Sequence, residues 1–68
     1  MAYYYVNKNE QPNGDHEVHK SGCVFMPKVE NRIYLGDFWS CEAAVLKAKQ
    51  YYNQVDGCRQ CSSNCHTS

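Results

Sequence analysis

The sequence has no long hydrophobic run. No stretch approaches the roughly 20 apolar residues that a membrane span needs, so a spanning helix is excluded. It has no excess of either charge, since seven Lys and Arg residues balance seven Asp and Glu residues. Neither a basic nor an acidic tail is present, which argues against strong non-specific DNA affinity and against charge-driven attachment to a membrane surface. It also lacks the basic start, roughly 7–15 apolar residues and small residues of a secretory leader; the opening Met-Ala-Tyr-Tyr-Tyr-Val turns polar at Asn7. The expected localisation is therefore cytoplasmic, with thiols reduced. Internal repeats, low-complexity segments, a glycine-rich loop and a paired carboxylate set are all missing as well, and an enzyme is not expected.

What is present is compressed into 68 residues. That is one domain at most, expected to span 1–68, and such a chain buries only about 60% of its unfolded surface. Its core candidates are Val6, Val18, Val24, Phe25, Ile33, Leu35, Phe38, Trp39, Val45, Leu46, Ala48 and some of the six tyrosines. So thin a core calls for a staple. Five cysteines are available for one, an odd number that disulfides alone would leave incomplete.

Residues 3–8 read as a strand, with Tyr3 and Tyr5 on one face and Tyr4 and Val6 on the other. Pro12-Asn13-Gly14 signals a turn. His16 to Lys20 returns as the second strand of a hairpin, with Val18 on one face and Glu17 and His19 on the other. A third short strand covers 32–36 and ends at Gly36. The helix follows, with Ser40 as N-cap and Glu42 in the first turn. Cys41, Ala44 (or Val45), Ala48 and Tyr52 form its apolar stripe, and it fades near Asn53. Asp56-Gly57 reads as a turn, and 62–68 as a frayed tail. The fold class is α+β, a small antiparallel hairpin or three-strand sheet with one helix, stapled by a metal.

The metal is implied by the thiols. Cys58-Arg59-Gln60-Cys61 can aim two sulfurs into one tetrahedral site at about 2.3 Å from zinc. His19 and Cys23, four positions apart around Gly22, complete a closed set suited to one structural zinc ion. Cys65 and His66 offer alternative ligands, since Cys58, Cys61, Cys65 and His66 form a dense local group. Cys58 and Cys61 could instead be a redox pair, but such pairs open a helix beside a parallel-sheet unit. Covalent haem on Cys61, Cys65 and His66 is disfavoured by the extra residue between the cysteines. Cys41 reads as a small core residue, or as a reactive thiol at the helix N-terminus. His16, three positions from His19, faces the other side of the strand.

From His19 to Cys61 the pattern runs His-x-x-x-Cys, Asn31-Arg32-Ile33-Tyr34-Leu35, Phe38-Trp39-Ser40 with Glu42-Ala43, then Cys58-x-x-Cys61. This resembles the metal-binding domain of the bacterial DNA repair protein Ada and its small standalone relatives. The whole chain is also similar to small bacterial proteins with a tyrosine-rich start and a Cys/His-rich end. The Ada resemblance implies one zinc held by His19, Cys23, Cys58 and Cys61. It does not carry over the methyl-accepting chemistry, because His19 stands where that family has the accepting cysteine.

The expected function is that of a structural-zinc module with a binding role. Tyr3, Tyr4, Tyr5, Trp39, Tyr51 and Tyr52 are its candidate contacts. A protein partner is expected ahead of nucleic acid, for which Lys8, Lys20, Lys28, Arg32 and Arg59 would supply the cations. The rival class is a thiol-based redox protein or an enzyme with Cys41 as nucleophile. Two open sheet edges would also permit oligomerisation.

Overall fold

Alternation builds the centre of the sheet. In the computed structural model, which describes residues 1–67, strand β1 spans Ala2–Asn7 and strand β2 spans His16–Lys20. They pair antiparallel with Val6 opposite Val18 and Tyr5 opposite His19. The period of two therefore sends Val6 and Val18 to one face, where both are fully buried. Tyr5 and His19 go to the other. The connecting turn is closed by the Gln11 amide on the Asp15 carbonyl and the Gly14 amide on the Gln11 carbonyl. Gly14 sits at φ +95°, a backbone region that favours glycine.

Strand β3, Arg32–Phe38, lies antiparallel on the other side of β1 and is longer than its sequence suggests. Gly36 does not end it. Tyr4 faces Gly36 while Tyr5 faces Tyr34, so the register slips by one residue at Leu35. Gly36 is tolerated there at φ +135°, inside a bulge rather than at a terminus. The slip keeps Leu35 and Tyr4 in the core and leaves Tyr34 beside Tyr3 and Tyr5 outside it.

Helix α1, Cys41–Ala48, follows directly. Ser40 occupies the N-cap with extended backbone, though its hydroxyl makes no capping bond. The regular helix is shorter than the run to Asn53 that propensity suggests. It tightens into single turns, with the Gln50 amide on the Lys47 carbonyl and the Tyr51 amide on the Ala48 carbonyl, and then breaks toward the sheet. Cys41, Ala44 and Ala48 form its buried stripe. Small side chains let the helix axis lie close to Tyr4, Val6, Val18 and Leu35, which complete the core.

The expected turn at Asp56-Gly57 is instead a fourth strand. β4, Val55–Gly57, pairs parallel with β2, giving a four-stranded mixed sheet in the order β3-β1-β2-β4. Helix α1 is the crossover that parallel pairing requires. The tail is not frayed over its described length. A 3-10 turn at Ser63–Cys65 packs on β4, and Thr67 donates its amide and its hydroxyl to Asp56 Oδ1 at 2.8 and 3.0 Å; Ser68 lies outside the described residues. Four expected core residues are on the surface: Val24, Phe25, Trp39 and Leu46. The first two ride on an irregular loop, and Leu46 falls off the helix stripe. Trp39 lies at the strand-to-helix bend, 85% exposed.

Candidate metal centre

Both halves of the site are hung from β2. His19 sits on the face away from α1 and is 1% exposed. Just beyond the strand, Ser21-Gly22 bends the chain, with Gly22 at φ +90° and the Cys23 amide on the Lys20 carbonyl. This returns the Cys23 thiol toward the strand it has just left. The other half arrives through β4. The Cys58 amide bonds the Val18 carbonyl at 2.9 Å, extending the β2–β4 ladder by one residue. The chain then turns through Arg59 and Gln60 to Cys61.

The four side chains converge. One ligand atom from each of His19, Cys23, Cys58 and Cys61 lies within 4.8 Å of every other, a group that could hold a metal ion. The edges have the length a shared ion requires. Two sulfurs bound tetrahedrally at about 2.3 Å stand about 3.8 Å apart, and a sulfur and a nitrogen about 3.6 Å apart. The Cys23 and Cys58 sulfurs are 3.8 Å apart, and the Cys61 sulfur is 3.8 Å from His19 Nδ1. These sulfurs are too far apart for a disulfide, yet closely grouped in a half-buried place.

Backbone amides are aimed at the sulfurs. Lys20 N–H donates to Cys61 Sγ at 3.2 Å, and Phe25 N–H donates to Cys23 Sγ at 3.4 Å. The amides of Gln60 and Cys61 favour the thiolate of Cys58. Burial outweighs these donors and pushes the Cys58 and Cys61 thiols up. Burial also pushes His19 down, which keeps the imidazole neutral and able to ligate. A divalent ion would supply the positive charge that the buried thiolates otherwise lack.

The remaining cysteines and His66 lie elsewhere. Cys41 and Cys65 are joined in a disulfide, 24 positions apart in sequence. The expectation that all thiols are reduced is thereby corrected, as is that of a reactive thiol at Cys41. Cys65 is equally unavailable as an alternative ligand, and its grouping with Cys41 and Glu42 contains no free thiolate. His66 turns its Nδ1 to the Gly57 carbonyl at 3.1 Å and to Asp56 Oδ2 at 3.0 Å, so it secures the tail instead of joining the cluster. The odd cysteine count thus resolves into three free thiols and one bonded pair. An odd cysteine count read alone sets disulfides against a metal; this fold holds a disulfide and a thiol cluster together.

The site sits in one corner of a larger surface. Tyr5, the cross-strand neighbour of His19, packs at 5.4 Å from Tyr34, and Tyr3 packs edge-on to Tyr34 at 6.1 Å. The Arg32 guanidinium lies 4.6 Å over the Tyr5 ring. Tyr3 and Tyr34 remain half exposed, whereas Tyr4, another expected contact, is in the core. Tyr52 is drawn inward by stacking on His16 at 3.7 Å. Comparison with known proteins gives no match, whether to a family model, a curated protein or a solved structure.

Proposed function

We propose that this chain is a small binding module whose fold is held by one structural zinc ion on His19, Cys23, Cys58 and Cys61. The observation that carries this is the convergence of three thiols and one imidazole at tetrahedral edge lengths. Three sulfurs and one nitrogen favour zinc over the harder cations, which prefer oxygen. A four-ligand protein site leaves no coordination position for substrate, so the role is structural and the module is not an enzyme. The resemblance to the Ada metal-binding domain supports the same ligand set.

The contact surface in this reading is the face of the sheet opposite α1, where Tyr3, Tyr5 and Tyr34 pack together and Arg32 lies over the Tyr5 ring. A protein partner is the first reading. Single-stranded nucleic acid is the second, favoured by exposed rings with a cation among them, because bases stack on such platforms. With net charge zero, that binding would depend on stacking more than on phosphate contacts.

The test is mass spectrometry of the native and the denatured protein, with Cys58→Ser alongside. One zinc per chain, lost on denaturation and absent from the variant, is the expected result. A folded chain that takes up no metal from zinc-containing buffer would sink the proposal. Titrating a labelled oligonucleotide against wild type and Tyr34→Ala separates the two partner classes. Loss of binding in the variant selects the nucleic acid reading, and absence of binding by wild type rejects it.

A further inference from the structure

A neutral imidazole has one N–H and one lone pair. If His19 binds the metal through one nitrogen, the other must carry the proton and needs an acceptor. His19 Nδ1 is the nitrogen that faces the cluster, 3.8 Å from Cys61 Sγ. Nε2, the other ring nitrogen, is buried and has no hydrogen-bond partner among the described residues. The carboxylate of Glu17 stands beside it, with Oε1 3.5 Å away. That proximity is built into the strand. Glu17 and His19 are two positions apart on β2, so both project from the face opposite α1. Parallel pairing of Glu17 with Asp56 fixes the strand at that point. Arg59, inside the Cys58–Cys61 turn, lines the same cleft as Glu17 and His19 and brings a positive charge to it.

We propose that Glu17 is the positioning residue of this metal centre. Its carboxylate accepts the Nε2–H of His19, which fixes the proton on Nε2 and presents Nδ1 to the ion. A carboxylate behind a metal-bound histidine both orients the ring and makes the ligating nitrogen more basic. The contact shortens from 3.5 Å to hydrogen-bond length when the ion draws the imidazole into place. Glu17 thus tunes how tightly the module holds its metal without touching it. This inference rests on the proposed zinc site.

The experiment is nitrogen-15 NMR of the histidine rings in the zinc-loaded full chain, together with zinc affinity by chelator competition for wild type, Glu17→Gln and Glu17→Ala. In wild type the proton of His19 resides on Nε2, protected from exchange, with Nδ1 metal-bound. Glu17→Ala weakens zinc binding about 10- to 100-fold and exposes that proton to exchange. Glu17→Gln, whose amide oxygen can still accept, recovers most of the affinity. Zinc bound through Nε2 in wild type overturns the inference, and that result needs no variant to fold. So does a Glu17→Ala affinity within about twofold of wild type, the size of effect expected for a merely neighbouring side chain. In both of those cases a stoichiometric zinc leaves the site itself standing. A wild-type chain that binds no zinc overturns the site and the inference together.

Discussion

Removing the Cys41–Cys65 disulfide should cost this protein a large part of its stability. The perturbation is the double replacement Cys41→Ala and Cys65→Ala, which leaves no unpaired thiol to react. The two cysteines are separated by 24 positions, so the bond closes a loop of about that length. In the chain-entropy account such a loop restricts the unfolded ensemble by about 3.5 kcal/mol. The native state also loses a little sulfur packing beside the helix stripe. A chain of this size has roughly 3–10 kcal/mol of total stability, from about 0.05–0.15 kcal/mol per residue. The disulfide is then worth a third or more of the whole. The assay is urea unfolding of both proteins with zinc in excess, read by far-UV circular dichroism. The variant should lose about 3 kcal/mol and still bind zinc, because neither replaced residue belongs to the cluster. Alkylation of denatured, chelated, unreduced wild type should meanwhile label three cysteines. A shift below about 1 kcal/mol, with five cysteines labelled, would refute the reasoning and return Cys41 to the pool of free thiols.

If the proposed ion staples the small core, chelation should unfold the chain cooperatively; retained secondary structure in excess chelator, followed by circular dichroism, would contradict this. Gly57→Ala should destabilise by about 1–3 kcal/mol, because the added methyl would stand 2.6 Å from both Cys65 Cβ and the Ser62 carbonyl oxygen; an unchanged urea midpoint would show that the tail is not seated on β4. Zinc affinity should rise with pH through the neutral range. Burial raises the Cys58 and Cys61 thiols in the metal-free chain, so their protons must leave for the ion to bind; calorimetry in buffers of different ionisation enthalpy counts that release, and a pH-independent affinity would exclude thiolate ligation.

The hairpin was legible because both of its determinants are local. Alternation at Tyr3 to Val6 and the Asn13-Gly14 turn need no partner to be read. The convergence of His19, Cys23, Cys58 and Cys61 was legible too, because spacing alone groups them in pairs. What escaped was non-local. β4 is three residues long and exists only because β2 offers it an open edge, so Asp56-Gly57 looks like a turn until that edge is known. Gly36 reads as a terminus in the sequence because glycine signals a stop and a bulge equally well, and only the slip against β1 decides between them. The frayed-tail expectation failed because polar composition hides a disulfide and a buried aspartate receiving Thr67. The exposed Trp39 and Phe25 failed for a different reason. Hydrophobicity marks what could be buried, while the loop that carries Phe25 and the bend that carries Trp39 leave both side chains in solvent.

Two sulfur chemistries lie side by side in this fold, a bonded pair and a cluster of three free thiols. Five thiols allow ten different first pairings (five times four, halved), and most of them would cross the site. An ion that captures Cys23, Cys58 and Cys61 early takes those thiols out of contention, because a metal-bound thiolate is shielded from exchange. Only Cys41 and Cys65 then remain, and they have a single way to join. If zinc fills the cluster as proposed, it would act during folding as a protecting group that selects the correct oxidation product. Oxidative refolding with zinc should give one disulfide isomer, and refolding with chelator should give a mixture; equal mixtures under both conditions would show that the ion arrives too late to direct the chemistry.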